Sequence, residues 1–397
     1  MVDYRRVSPS EADEYERIRQ YAFHPEDGPR TDDTVEQSSP GERYGLFEEG
    51  QLRSICRQYT FDARLRGKWI TLGGLGTVAT PPEHRHTGYA RRLLRDTVQS
   101  YAAESIPLVA LWPFETAFYR QFGWTTANRV STYECEPHTL VGVGDGEGRF
   151  QPVEPTDWRS LRAVHLTAGE GETLSLRRSE AWWRRRIFSE WGDRRRHVYR
   201  YDRDGEPAGY VTHSFDDERL EVAYMAGVDH DAYRELLGFL GEHGAQTDRV
   251  IFERPEASEL FALVADPDAV KCTVEPGAMI RITDVETALE AVPYPDDLEE
   301  TVTFDVHDPL ATGIDGTFRL RVAGGTGDVE PVRDEDPEAA VDRNARLDVG
   351  TLSGLVVGSF DATAATRQGG LAVDSPDVSR RFDRLFPTER VFLREFF

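Results

Sequence analysis

The sequence predicts an α/β (α+β) chain in which one mixed-sheet unit with flanking helices occurs twice, and a further segment, strands first and helices after, closes the chain. Three stretches carry that expectation. In residues 72–124 an apolar strand with Leu75 and Val78 breaks at Pro81 and Pro82, a helical run reaches Glu104, and a second strand covers 108–112. From Val153 a similar order begins again. Beyond Pro293 and Pro295, residues 302–306 and 317–322 alternate as strands do, and helical stretches follow.

Taken in order, residues 3–19 show charged and apolar positions at helical spacing and stop before Pro25. A loop rich in Asp, Ser and Pro covers 24–41. Residues 44–48 and 51–61 flank Glu49-Gly50 as the arms of a β-hairpin, and 68–78 supplies a third strand. Periodicity fails over 133–149, where Gly142, Gly144, Gly146 and Gly148 alternate, so a linker or exposed crossover is expected there. The second unit reads as helices at 158–166, 180–190 and 232–242 with strands at 197–201, 209–215, 220–228 and 249–253; Asp204-Gly205 marks a turn, and 258–264 stands where 115–122 stood. In the last segment Gly324-Gly325 and residues 328–330 mark turns, 346–349 a short strand, and 352–357, 361–366 and 376–385 helices.

A length of 397 residues allows two or three domains, at about 150 residues each. No apolar run approaches the ~18 residues that span a bilayer, and the N-terminus, with Asp3, Arg5, Arg6, Glu11 and Asp13, has no apolar signal segment. A cytoplasmic protein is expected. Cys56, Cys135 and Cys272 stand too far apart for a disulfide framework or a metal knuckle. The net charge of −24 would repel a phosphate backbone, which argues against a nucleic-acid partner. Lysine occurs only at Lys68 and Lys271. Such a surface resembles proteins of halophilic archaea, where molar salt shrinks the Debye length to ~3 Å and screens self-repulsion. The acidity therefore speaks first of habitat, and only weakly of a cationic substrate.

The chemistry concentrates after the third strand. Arg85, His86, Thr87, Gly88, Tyr89 and Ala90 lie between a strand and a helix start, where backbone N–H groups without intrahelical partners can hold an anion, phosphate above all. The plain alternative is a strand-turn-helix with Gly88 as a helix-start glycine. His84 and His86 are read as donors rather than a metal pair, since no further cluster stands at ligand spacing, and no metal is expected. The spacing Arg85-x-x-Gly88-x-Ala90, with the second strand and the run Phe118, Tyr119, Arg120, Gln121, Phe122, Gly123 and Trp124 behind it, resembles the GNAT superfamily of N-acetyltransferases. The resemblance implies two splayed strands with acetyl-CoA between them. Val78, Ala79 and Thr80 would lie along the pantetheine and thioester, the loop from Arg85 through His86 to Arg91 would hold the diphosphate, and Phe114 and Glu115 would face the far side.

The second unit carries Val228, Asp229, His230, Asp231 and Ala232 at the place of that loop. Two carboxylates there would repel a diphosphate, so this unit is expected to be catalytically empty. Trp182, Trp183, Arg184, Arg185 and Arg186, with Trp191 and Arg194 to Arg196, could suggest a stacking platform for nucleic acid. Tryptophan at helical spacing is more often core, and arginines on an acidic chain pair with its own carboxylates.

The last segment resembles the sterol-carrier-protein-like domain that closes the enhanced-intracellular-survival (Eis) family of acetyltransferases. The implied domains are 1–140, catalytic; 150–285, GNAT-like without a cofactor loop; and 290–397, sterol-carrier-protein-like, and the implied assembly is a hexamer built from trimers. In that family pattern Tyr119 matches the general acid that protonates the CoA sulfur, and the α-carboxylate of Phe397 matches the general base, with Glu395 as a rival. The acceptor would be a primary amine of aminoglycoside, polyamine or lysine type, with the loop containing His24, Glu26, Asp27 and Asp33 as a candidate border of its pocket. A non-catalytic acyl-CoA- or lipid-binding protein is the competing reading.

Overall fold

Two tight turns shape the first sheet of the computed structural model, which describes residues 2–28, 40–146, 148–189, 195–255, 259–310, 313–332 and 343–397. Glu49 and Gly50 both take positive φ, as do Arg66 and Gly67. That backbone matches the right-handed twist of a hairpin, so β2 (Glu42–Glu48), β3 (Gln51–Leu65) and β4 (Lys68–Ala79) pair antiparallel in sequence. The helix expected over 3–19 is instead two elements. β1 (Val2–Arg6) pairs with β2, and α1 (Ala12–Phe23) starts only after a Ser8/Glu11 capping box. A five-residue strand is too short to show its period of two against the helical pattern that follows it.

After β4 the chain enters α2 (Tyr89–Ala103), whose Leu93, Leu94, Thr97, Val98 and Tyr101 are buried, then β5 (Leu108–Leu111), α3 (Thr116–Arg120) and the short β6 (Thr125–Thr126). β5 runs parallel to β4. The sheet order is β1-β2-β3-β4-β5, then Met279–Ile282, then β6. Local periodicity could not reveal that last insertion, because the strand arrives from far along the chain.

By contact density, one unit comprises Met1–Ala127, Glu172–Leu176 and Ala278–Phe397, and the other Asn128–Gly171 and Arg177–Gly277. These units do not coincide with the segments 1–140, 150–285 and 290–397. The first also contains an open sheet ordered Thr326–Val332, Gly316–Ala323, Glu300–His307, Arg343–Asp348, Leu371–Val373, with helices Val349–Val357, Ala362–Arg367 and Pro376–Leu385. Residues 328–330, expected as a turn, are strand. Arg66, in the β3-β4 turn, donates to the carbonyls of Leu355 and Val356 at the C-terminal end of one of these helices, 2.9 Å each. A cation there offsets the carbonyl end of the helix dipole.

The other unit has its own sheet, ordered Lys271–Pro276, Arg129–Cys135, Arg249–Pro255, Arg219–Gly227, Glu206–Asp216, His197–Arg203, Arg149–Pro152. Residues 133–135, expected in a linker, therefore belong to a strand. Trp182 and Trp183 are buried, Trp183 stacked on Trp158, which places them in a core rather than on a nucleic-acid platform. Asp33, Glu190, Trp191, Arg194 and Ser258 lie outside the described residues. No described helix is long and apolar enough to cross a membrane.

Candidate active site

β4 and β5 pair only from Leu72 with Leu108 to Leu75 with Leu111. Beyond that point β4 keeps its antiparallel pairing to β3 at Gly76 and Ala79, and the edge carrying Thr77 and Val78 has no β5 partner. A register shift between Ile55 and Arg57, with Thr77 at φ 54°, bulges the strand here. Bulges of this kind re-aim backbone groups beside functional sites. Ala79 is buried and Val78 half-buried; the Ser54 hydroxyl donates to the Ala79 carbonyl (3.0 Å) and lies 2.9 Å from the Thr80 hydroxyl.

The loop that follows is held from inside and open outside. Arg85 Nε donates to the Thr80 carbonyl at 3.1 Å, the Thr87 hydroxyl to the His84 carbonyl at 2.6 Å, and His84 Nε2 lies 3.0 Å from an Arg53 nitrogen. His86 takes φ 61° and Gly88, the N-cap of α2, φ 89°; no side chain caps that helix. The first amides of α2 are thus left for a guest, and a Cβ built on Gly88 meets no atom within 4 Å. Arg85, His86 and Thr87 are exposed, which suits them to a diphosphate. Tyr89 and Arg91 are committed elsewhere: the Tyr89 hydroxyl donates to Glu48 at 2.5 Å and Arg91 to the Pro309 carbonyl at 2.6 Å.

The matching helix of the other unit, His230–Gly241, differs in carrying a side-chain cap. Asp229 caps it, accepting from the Ala232 amide at 2.9 Å, and pairs with Arg203 at 2.5 Å. Arg203 holds the Asp229 carboxyl below its ordinary range.

Tyr119 sits in α3, 3% exposed, with Phe114 and Phe118 against its ring at 5.5 and 5.1 Å and Trp124 at 6.2 Å. Burial pushes its phenol well above the ordinary value, so it stays protonated and able to donate across neutral pH. Phe114 is 68% exposed, and Glu115 is the exposed N-cap residue of α3.

The last residues are threaded along β3, β4 and β5. Phe397 is buried with its ring 5.3 Å from Tyr59 and 5.0 Å from Phe61. A Cβ on Gly76 would lie 3.0 Å from a main-chain carboxylate oxygen of Phe397, and one on Gly74 2.9 Å from its ring. These positions of β4 admit the tail because they carry no side chain. Glu395 is buried and its carbonyl accepts from Trp112 Nε1 at 2.7 Å. Further back, Glu172, itself buried, takes Arg394 on both oxygens at 3.1 Å and Arg390 at 3.2 Å, while the Phe392 amide donates to the Thr173 carbonyl at 2.9 Å. Trp112, Gly76 and Glu172 were missed from the sequence. Gly76 alone carried a signal, since glycine inside a strand marks close backbone approach.

The acetyltransferase (GNAT) domain family matches this chain twice, under two descriptions of the same fold: once over residues 3–127 and again over 174–282. A sterol carrier protein domain matches 285–394. The chain is thus a GNAT-type acyltransferase with tandem acetyltransferase domains. Its fold is that of the Eis-type enzymes: it superposes on Eis1 from Mycobacterium abscessus with a TM-score of 0.77 at 22% identity, covering 100% of both chains. A probable N-acyltransferase from Enterococcus faecalis V583 gives 0.87 at 20% identity, and a GCN5-related N-acetyltransferase from Anabaena variabilis 0.80 at 20%, each again covering 100% of both chains. No curated protein matches by sequence.

Proposed function

We propose that this chain moves the acetyl group of acetyl-CoA directly to a primary amine of aminoglycoside, polyamine or lysine type, with Tyr119 as general acid and the α-carboxylate of Phe397 as general base. The observation that carries the reading is an uncapped helix N-terminus beside a parallel strand pair that comes apart, with Phe397 laid over Gly76 of the same strand. Bound acetyl-CoA supplies an activated acetyl thioester. Val78, Ala79 and Thr80 line the gap for its pantetheine arm, Arg85, His86, Thr87 and Gly88 with the backbone amides of Tyr89, Ala90 and Arg91 surround its diphosphate, and Phe114 and Glu115 border the opposite side.

An alkylammonium of pKa about 10.4 has no lone pair to offer, so it must lose a proton before attack. The Phe397 carboxylate draws the cation in and takes that proton through a water. As the C–N bond forms and the C–S bond breaks, Tyr119 gives its proton to the departing sulfur, and the second proton that the nitrogen sheds on becoming an amide restores the tyrosine hydroxyl through solvent. No covalent bond to the protein is required.

Cofactor binding tests the loop. Gly88→Glu forces a side chain into a positive-φ position and places a negative charge where the diphosphate belongs. Acetyl-CoA affinity should collapse by calorimetry while the circular dichroism spectrum is kept; unchanged affinity removes the loop assignment. The unaltered chain should bind one acetyl-CoA. A stoichiometry near two would show that Asp229 does not close the other unit.

A further inference from the structure

The strand Met279–Ile282 is apolar except for Arg281, which is 0% exposed. Arg281 Nη1 donates to the Phe122 carbonyl at 2.7 Å, and Nη2 to Asp308 Oδ2 at 2.6 Å. Its guanidinium also lies 5.2 Å over the Trp124 ring. Phe122 and Trp124 belong to the turn that ends α3, and their amides both donate back to the Tyr119 carbonyl, at 3.0 and 3.3 Å. The guanidinium therefore reaches Tyr119 by two routes, one along the backbone turn and one through the Trp124 ring packed against it. Gly123 makes this possible: it takes φ 83°, and a Cβ there would stand 2.0 Å from Arg281 Nη1.

Asp308 follows the strand Glu300–His307 and is fixed in its turn. Its Oδ1 accepts from the Leu310 amide at 3.0 Å, and its own amide donates to Asp315 at 2.7 Å. The next residue, Pro309, accepts Arg91 from the first turn of α2. One turn of the sterol-carrier segment thus touches the helix that follows the Gly88 loop directly and, through Arg281, the turn that ends the helix bearing Tyr119.

Stability alone does not call for such a pair. Burying two charges costs several kcal/mol per ion, and well-packed apolar residues often serve a core as well or better; the best-attested use of buried ions is to fix registry. We infer that Arg281 and Asp308 are positioning residues for acetyl transfer: by gripping Phe122 and supporting Trp124 they fix where the Tyr119 hydroxyl stands. The inference rests on the reading of Tyr119 as general acid. An ångström-scale misplacement of a reacting group costs on the order of a hundredfold in rate, so the pair acts on turnover rather than on cofactor binding.

The test is the double variant Arg281→Met with Asp308→Leu, which replaces the ion pair with apolar side chains. Turnover should fall on the order of ten- to a hundredfold with acetyl-CoA affinity unchanged. In a Tyr119→Phe background the same replacement should cause no further loss, because the hydroxyl it positions is gone. Full turnover in the double variant, or losses that multiply with Tyr119→Phe, would overturn the inference. Should the apolar pair fail to fold, Arg281→Lys keeps the charge but not the planar fork that spans Phe122 and Asp308, and the same two readouts apply. If Tyr119→Phe alone keeps full turnover, the acid assignment itself fails, a result separable from the other outcomes.

Discussion

Replacing Tyr119 with phenylalanine should lower the rate of acetyl transfer by roughly 10²- to 10⁴-fold, the usual contribution of a general acid, and leave acetyl-CoA affinity nearly unchanged. The substitution removes one oxygen and keeps the ring that packs on Phe114, Phe118 and Trp124. The folded protein is therefore expected to survive. Burial raises the phenol's pKa, so the proton-bearing form persists above the pH at which an exposed tyrosine would ionise. A fall in rate at mildly alkaline pH in the parent protein should then trace to another group. Release of CoA thiol, followed under single-turnover conditions, reads the chemical step directly. A Tyr119→Phe variant with full single-turnover rate would reduce this residue to packing.

Gly76→Val should have a comparable effect from the opposite side of the reaction. The ideal Cβ already stands 3.0 Å from a carboxylate oxygen of Phe397 and 3.2 Å from the Tyr59 ring, and the two methyls of valine reach further. Overpacking of this kind costs typically about 1–3 kcal/mol, relieved most readily by expelling the tail. Turnover is expected to drop about a hundredfold, as for a misplaced reacting group, with the β3-β4 pairing intact. Glu395→Gln separates the two candidate bases. If Glu395→Gln silences the enzyme while Gly76→Val does not, the base is Glu395 rather than the Phe397 carboxylate.

What was legible in the sequence was local. Hairpins at Glu49-Gly50 and Asp204-Gly205 follow from residues that accept positive φ, and the Gly88 loop stands out because its chemistry occupies six consecutive positions. The mixed α/β class and the repeat of one unit followed from element order, which survives errors of a few residues at each boundary, whereas the acetyltransferase nature of those units followed only from the resemblance carried by the Arg85–Ala90 loop and the run behind it. Less visible was whatever depends on distant pairing. β1 is too short for its alternation to show, residues 133–135 hide a strand beside a glycine-rich stretch, and Met279–Ile282 gives no hint of the sheet it enters. Arg281 was the one available clue there, since a lone charge in an apolar strand needs a buried partner. Glu172 had no such contrast, because its neighbours are themselves polar.

The insertion of Met279–Ile282 beside β5 bears on how the chain is made. Arg281 and Phe122 meet across 159 positions of sequence, so during synthesis the apolar edge of β5 waits, unpaired, while the whole intervening region is translated and folds. Contacts of such separation slow folding, and an open strand edge templates association with other chains. A nascent or truncated polypeptide that stops short of residue 279 should therefore aggregate rather than yield a functional amino-terminal fragment. Chaperones that shield strand edges would matter most in that interval.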